Sequence, residues 1–139
     1  MRSRSAAGVH AQRKPILIVE DNVYLALDLS DAVADLNGRV VGPARTVAEA
    51  LELLDSQEIA AAIVDCHLAN QDVTLLAGQL ASRRVPFVIH TADRLPPLIR
   101  ALHPDIPVLF KPVKPRTVLA CLLVEIRKAV RRRSSGAAP

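Results

Sequence analysis

The feature that most restricts the fold is a series of short, wholly apolar, largely β-branched runs with helical patterns between them. Ile16-Leu17-Ile18-Val19 is the first, Ala61-Ala62-Ile63-Val64 the second, and Phe87-Val88-Ile89, directly after Pro86, the third. A strand with one wet face alternates apolar and polar residues, whereas a run with no polar member suits a parallel strand covered on both faces. Two weaker runs, Arg39-Val40-Val41, ended by Gly42-Pro43, and Pro107-Val108-Leu109-Phe110, bring the strands to five. Ala26, Leu29, Val33 and Leu36 recur at helical spacing, with Asn37-Gly38 as the stop. Thr46 and Glu49 have capping-box spacing ahead of a stripe of Val47, Ala50, Leu51 and Leu54. Val73, Leu76 and Leu80 mark a third helix, and Leu119, Leu122, Leu123, Ile126 and Val130 a long last one. Between Arg94 and His103, Pro96 and Pro97 fit only a first turn and leave a short fourth helix. Strict alternation with right-handed crossovers gives an α/β fold, a doubly wound, five-stranded parallel sheet with five helices on its two faces.

The 139 residues allow one domain. Half of them are hydrophobic and 23% charged, the balance of a globule and not of a disordered chain. The aromatics are Tyr24, Phe87 and Phe110 alone, which argues against a base-stacking nucleic-acid surface. No uncharged apolar run is long enough for a membrane span, and no apolar segment of a secretory signal follows the basic start. Cys66 and Cys121 lack metal spacing and suit a reducing compartment, so a cytoplasmic location is expected. The net charge of +4 is unevenly placed: nine basic residues lie in 1–14 and 127–133, leaving nine basic against fourteen acidic between them. We therefore expect a basic N-terminal tail at 1–14, a folded domain at 15–130, and a basic, disordered C-terminal tail at 131–139. The basicity is read as solvated flanks and not as a nucleic-acid surface.

Ligands of open parallel sheets bind beyond the carboxyl ends of the strands, and here those ends carry groups that a core would reject. The first strand ends in Glu20-Asp21, the third in Asp65, the fourth in Thr91 followed by Ala92, and the fifth in Lys111. With strands one, three, four and five adjacent, these side chains converge on one shallow pocket. Clustered carboxylates repel and are driven toward protonation unless a cation neutralises them. A hard divalent ion with oxygen ligands, Mg²⁺ above all, fits such a cluster. A lysine and a hydroxyl facing it suit phosphoryl oxygens. Taken one by one, Asp65 also reads as a helix N-cap, Glu20 and Asp21 as first-turn acids, Thr91 as a strand-end hydroxyl and Lys111 as a solvated lysine.

Together, Ile-Leu-Ile-Val-Glu20-Asp21-Asn, Ala-Ala-Ile-Val-Asp65, Phe-Val-Ile-His-Thr91-Ala92 and Leu-Phe-Lys111-Pro112 resemble the signature positions of the response-regulator receiver domain. The match spans about residues 15–130 and implies the flavodoxin-like receiver fold. It implies that Asp65 is a phosphoacceptor, served by a phosphohistidine on a sensor histidine kinase or phosphotransfer protein. Glu20, Asp21, Asp65 and the His67 backbone carbonyl would hold Mg²⁺. Thr91 and Lys111 would bind phosphoryl oxygens, assisted by the Cys66 and Ala92 backbone N–H groups. The Lys111–Pro112 peptide would be cis. Such a protein accepts a phosphoryl group but is not an enzyme in the usual sense. With only nine residues after Val130, no DNA-binding output domain is expected, and the signal would pass by protein contact or by competition for phosphoryl groups. A homodimer through the fourth helix, fifth strand and fifth helix is a further expectation.

The sequence departs from the family at several places. Val108 stands where an aromatic normally switches inward. The loop Cys66-His67-Leu68-Ala69-Asn70-Gln71-Asp72 resembles an Asp-x-Asn-Leu-Gly-Gly subgroup but lacks its glycines. His67 and Asp93 occupy positions that tune hydrolysis of the acyl phosphate. These departures motivate a second reading, a phosphorylation-independent adaptor. A third, an Asp-nucleophile phosphohydrolase, needs a second Asp where this chain has His67.

Overall fold

In the computed structural model, residues 13–69 and 71–134 are described. Five strands, β1 (Pro15–Val19), β2 (Arg39–Ala44), β3 (Ala61–Val64), β4 (Phe87–Thr91) and β5 (Val108–Phe110), alternate with five helices. The helices are α1 (Val23–Asp35), α2 (Val47–Ser56), α3 (Thr74–Ser82), α4 (Pro97–Leu102) and α5 (Pro115–Ser134). All strand pairs are parallel, in the order β2-β1-β3-β4-β5. The expected architecture and the short fourth helix are both present.

The apolar runs are apolar throughout because both faces of the sheet are covered. Leu17, Val19, Ala62, Val64, Phe87 and Ile89 face α2, α3 and α4, where they meet Ala50, Leu54, Leu76, Leu80 and Ile99. The alternate residues Ile16, Ile18, Ile63 and Val88 face α1 and α5, against Leu29, Val33, Val118, Leu122 and Ile126. The chain order reverses between β1 and β3, which places the open crevice of the fold at their carboxyl ends.

Local side chains and turns close the helix ends. Asn22 caps α1, its Oδ1 accepting from the Tyr24 and Leu25 amides at 3.0 and 3.1 Å. Asn37 adopts φ +63° and the Gly38 N–H returns to the Val33 carbonyl at 2.9 Å, closing the same helix. Thr46 Oγ1 accepts from the Glu49 amide at 3.1 Å, and Glu49 Oε1 accepts from the Arg45 N–H at 2.9 Å.

Two expectations need correction. Gly42-Pro43 does not end β2; the strand continues through it to Ala44. The pairing with β1 shifts there, as in a bulge, and β2 is an edge strand, where proline removes no ladder hydrogen bond that the sheet needs. Gly42 has φ +91°, and a Cβ on it would stand 2.6 Å from the Ala44 nitrogen, so only glycine fits. At the other end, Arg131, Arg132 and Arg133 are not tail: α5 carries them to Ser134. Three cations in a last turn face the negative end of the helix dipole and favour its continuation. The remainder of both expected tails, 1–12 and 135–139, and Asn70 of the loop lie outside the described residues.

Candidate functional site: an acidic pocket at the strand ends

Register builds the pocket. Val19 lies opposite Val64, and Val64 opposite Ile89, so the next residues Glu20, Asp65 and His90 fall level with one another. The Asp65 N–H continues the ladder to the Val19 carbonyl at 3.0 Å. The Glu20 N–H reaches the Ala44 carbonyl at 2.9 Å, so the bulged end of β2 fixes the backbone of the first acid. Further out, Thr91 pairs with Phe110, and the Lys111 N–H bonds the Thr91 carbonyl at 2.7 Å. Lys111 therefore starts its reach two residues beyond the level of the Glu20 and Asp65 carboxylates. Its peptide to Pro112 is cis.

The side chains then meet. Lys111 Nζ lies 2.9 Å from Glu20 Oε1 and 3.0 Å from Asp65 Oδ2. The second Glu20 oxygen accepts from the Asn22 N–H at 3.1 Å, and Asp65 Oδ1 accepts from the His67 N–H at 2.9 Å. Carboxylate oxygens of Glu20, Asp21 and Asp65 all lie within 4.8 Å of one another. Glu20 and Asp65 are buried and Asp21 is half-buried.

Part of the neutralisation that three carboxylates require comes from Lys111 itself. Burial works against its ammonium, but the hydrogen bonds to Glu20 and Asp65 and the charges of those two groups together outweigh it and raise its pKa above the ordinary value. Burial holds the Glu20 carboxyl above its ordinary range, and the charge of Asp65 adds to this against the hydrogen bonds from Lys111 and Asn22. One lysine against three acids leaves an excess of negative charge, so the donor set of hard oxygens is suited to a divalent cation.

The remaining expected residues surround this core. Thr91 is fully buried and its Oγ1 has no hydrogen-bond partner among the described residues. Ala92 follows it on the surface. Cys66 is buried, and burial first, then the charges of Asp65 and Asp72, push its thiol up to about 12. It stays a neutral thiol, and desolvation outweighs the neighbouring acids as the cause. The His67 side chain is exposed; its backbone, not its ring, contacts Asp65.

No family model and no curated relative matches the sequence. Solved structures do. SdrG from Sphingomonas melonis Fr1 is 36% identical, with 80% of this chain and 97% of that one covered at a TM-score of 0.67. The receiver domain of the sensor histidine kinase PA1611 from Pseudomonas aeruginosa PAO1 is 25% identical, covering 83% and 98% of the two chains at a TM-score of 0.69. That structure has a magnesium ion coordinated in its active-site cleft. A CheY-like receiver domain protein from Methanospirillum hungatei JF-1 shares the fold at a TM-score of 0.76 and 20% identity, covering 86% and 98%. The chain belongs to the response-regulator receiver family.

As a receiver it has its own features. Val108 is half-buried at the edge of the sheet, without the usual aromatic. The loop after Asp65 is held by parts other than glycine: Leu68 is fully buried, Leu68 and Gln71 form a bridge, and Gln71 Oε1 accepts from the Val47 N–H at 2.8 Å. Ala69 takes the left-handed turn position at φ +48°. His90 is a neighbour of the site that the strand-end motifs do not single out. It is 2% exposed, level with Asp65, and neither ring nitrogen has a partner among the described residues. Strand alternation puts residue 90 on the face of Val88, and the register with β3 sets it beside Asp65. Burial, then the charge of Lys111, lowers the His90 pKa, against an opposite effect of Asp65, and the ring is held neutral.

Proposed function

We propose that the protein is a phosphoryl-accepting response regulator in which Asp65 takes a phosphoryl group from a phosphohistidine on a sensor histidine kinase or phosphotransfer protein, passing its signal by protein contact or acting as a phosphate sink. The observation that carries this reading is the bridge of Lys111 to both Glu20 and Asp65 inside a pocket of three carboxylates. A purely structural acid at the end of β3 needs neither partner.

Asp65 is the nucleophile. Its carboxylate oxygen forms the new O–P bond as the P–N bond to the donor imidazole breaks; the electron pair stays on that nitrogen, which takes up a proton. Glu20, Asp21, Asp65 and the His67 carbonyl are the residues to hold Mg²⁺, which when bound supplies positive charge against the phosphoryl oxygens. Lys111 Nζ adds a second positive charge and a donor, and Thr91 Oγ1 a hydroxyl with no competing bond among the described residues. The Cys66 and Ala92 N–H groups complete the set of donors. Such a transfer needs little covalent help beyond position and neutralised charge. Val23, Tyr24 and Leu27 leave an exposed apolar patch on the first turns of α1, beside the pocket, suited to a protein donor. Asp65 is rebuilt by hydrolysis, so the chain assists its own phosphorylation without turning over a separate substrate.

No helix among the described residues is long and apolar enough to cross a membrane, and we propose that the protein works in the cytoplasm. Pairing through α4, β5 and α5 is part of the same reading; Leu98, Leu102 and Phe110 are exposed there. Incubation with Mg²⁺ and acetyl phosphate or phosphoramidate should add one phosphate to the intact mass, and Asp65→Asn should take up none. No uptake by the native chain from any donor, including a histidine phosphotransfer protein, would overturn the proposal in favour of a phosphorylation-independent adaptor.

A further inference from the structure

The end of the sheet opposite Asp65 holds a second concave feature. A cleft of about 500 Å³ opens between the α3–β4 turn, the segment leading into β5 and the last turns of α5. Its floor is apolar, built from Val85, Pro86, Phe87 and Ile106, and Phe87 meets the His103 ring edge to face with centroids 5.9 Å apart. Its rim is cationic. Arg84 enters from the turn, and Arg132 and Arg133 from the helix. A volume of this size is typical of small-molecule sites, which combine an apolar lining with a few charged groups that fix orientation.

The simplest account of the α5 arginines is that they offset the helix dipole. That account covers neither Arg84 nor the cleft. Arg84 belongs to a different element and adopts φ +57°, a left-handed conformation uncommon for a residue with a side chain. Its neighbour Arg83 is committed, bonding Asp55 and the Leu54 carbonyl. Arg84 and Arg133 form no ion pair among the described residues. Of the acids in the wall, Glu125 is bridged by Lys128 at 3.1 Å, which leaves Asp105 beside Arg84 and Arg133. Guanidinium groups are forks for carboxylate and phosphate oxygens, and the apolar floor favours a ring or chain attached to them.

We infer that this cleft binds a small organic anion, a carboxylate or phosphate monoester with an apolar ring, its body on Phe87 and Ile106 and its charge between Arg84 and Arg133. The site is separate from the strand-end pocket and does not depend on phosphorylation of Asp65.

The test is a ¹H–¹⁵N titration of the full chain with 1-naphthoate and phenyl phosphate, alongside 1-naphthalenemethanol as a neutral body and inorganic phosphate as a bare anion. Expected are saturable shifts at Val85, Phe87, Ile106 and Arg84 with one or both aromatic anions, at least tenfold tighter than with either control. The stronger of the two distinguishes a carboxylate from a phosphate ester as the natural head group. Arg84→Gly, which removes the guanidinium and also relieves the backbone, and Arg133→Gln should each weaken binding about tenfold, as loss of a charge-assisted hydrogen bond does. Asp65→Asn should bind as the native chain does, which separates this inference from the phosphoacceptor reading. Shifts that do not saturate, equal binding of the neutral analogue, or unchanged affinity in both arginine variants would overturn it.

Discussion

At the scale of single residues, the chemistry rests on charges that the fold takes out of water together. Glu20, Asp65 and Lys111 are each costly to bury alone, and removing one partner from such a set commonly destabilises by about 3–5 kcal/mol. Lys111→Ala is thus a poor probe of catalysis, because it strands two acids. His90 is the more informative side chain. A buried imidazole with no partner is unfavourable by about 1–3 kcal/mol, and its folded-state pKa lies below the ordinary value. The unfolded chain then binds a proton that the native chain refuses as pH falls through the ordinary imidazole range near 6.5. Stability from this group is fully present above that range and declines below it. His90→Leu should equal or exceed the native chain in urea midpoint at pH 7.5 and exceed it by a wider margin at pH 5.5. An equal margin at both values would show that the ring is not held neutral.

Elements decide where these residues stand, and the bulge in β2 is the clearest case. Gly42 has both a positive φ and no room for a Cβ, and two residues later the Ala44 carbonyl receives the Glu20 N–H. Gly42→Ala should cost about 1–3 kcal/mol, the range for a strained backbone position, measured as a lower urea midpoint with unchanged slope; a neutral effect would mean that the bulge can straighten. The same element shows the limit of the sequence. The strands β1, β3 and β4 were legible because their faces are both buried, which makes every residue apolar, and the acids stood out by following those runs. The extent of β2 was not legible, since Gly-Pro reads as a terminator unless the strand is known to lie at an edge. The end of α5 was hidden in the same way, because a run of arginines reads as solvated tail until a helix dipole is there to meet it. Convergence of Glu20, Asp21, Asp65 and Lys111 could be anticipated from the strand ends once the strand order was supposed. The bridge of Lys111 to two carboxylates, the orphaned Thr91 hydroxyl and the placement of His90 depend on register, which a list of residue types does not contain.

For the molecule as a whole, the acidic pocket sits at the topological switch point, where β1 and β3 tie the α1–α5 face to the α2–α4 face. A cation bound by Glu20, Asp21 and Asp65 would touch both central strands, so its binding free energy should appear as stability of the entire fold and not of one loop. Linkage sets the size: a ligand at a hundred times its dissociation constant adds about 2.7 kcal/mol. The midpoint of thermal unfolding should therefore rise steadily with Mg²⁺ concentration once EDTA has removed traces. Asp21→Asn separates the two roles of negative charge here. It removes one repulsive carboxylate from the cluster without touching the Lys111 bridge, so the variant should melt above the native chain in EDTA. It also removes a ligand, so its midpoint should respond far less to Mg²⁺, and the two melting curves should approach or cross as the metal is raised. A native chain whose midpoint ignores Mg²⁺ up to tens of millimolar would mark the pocket as one that Lys111 alone neutralises, which is the state a phosphorylation-independent adaptor would have.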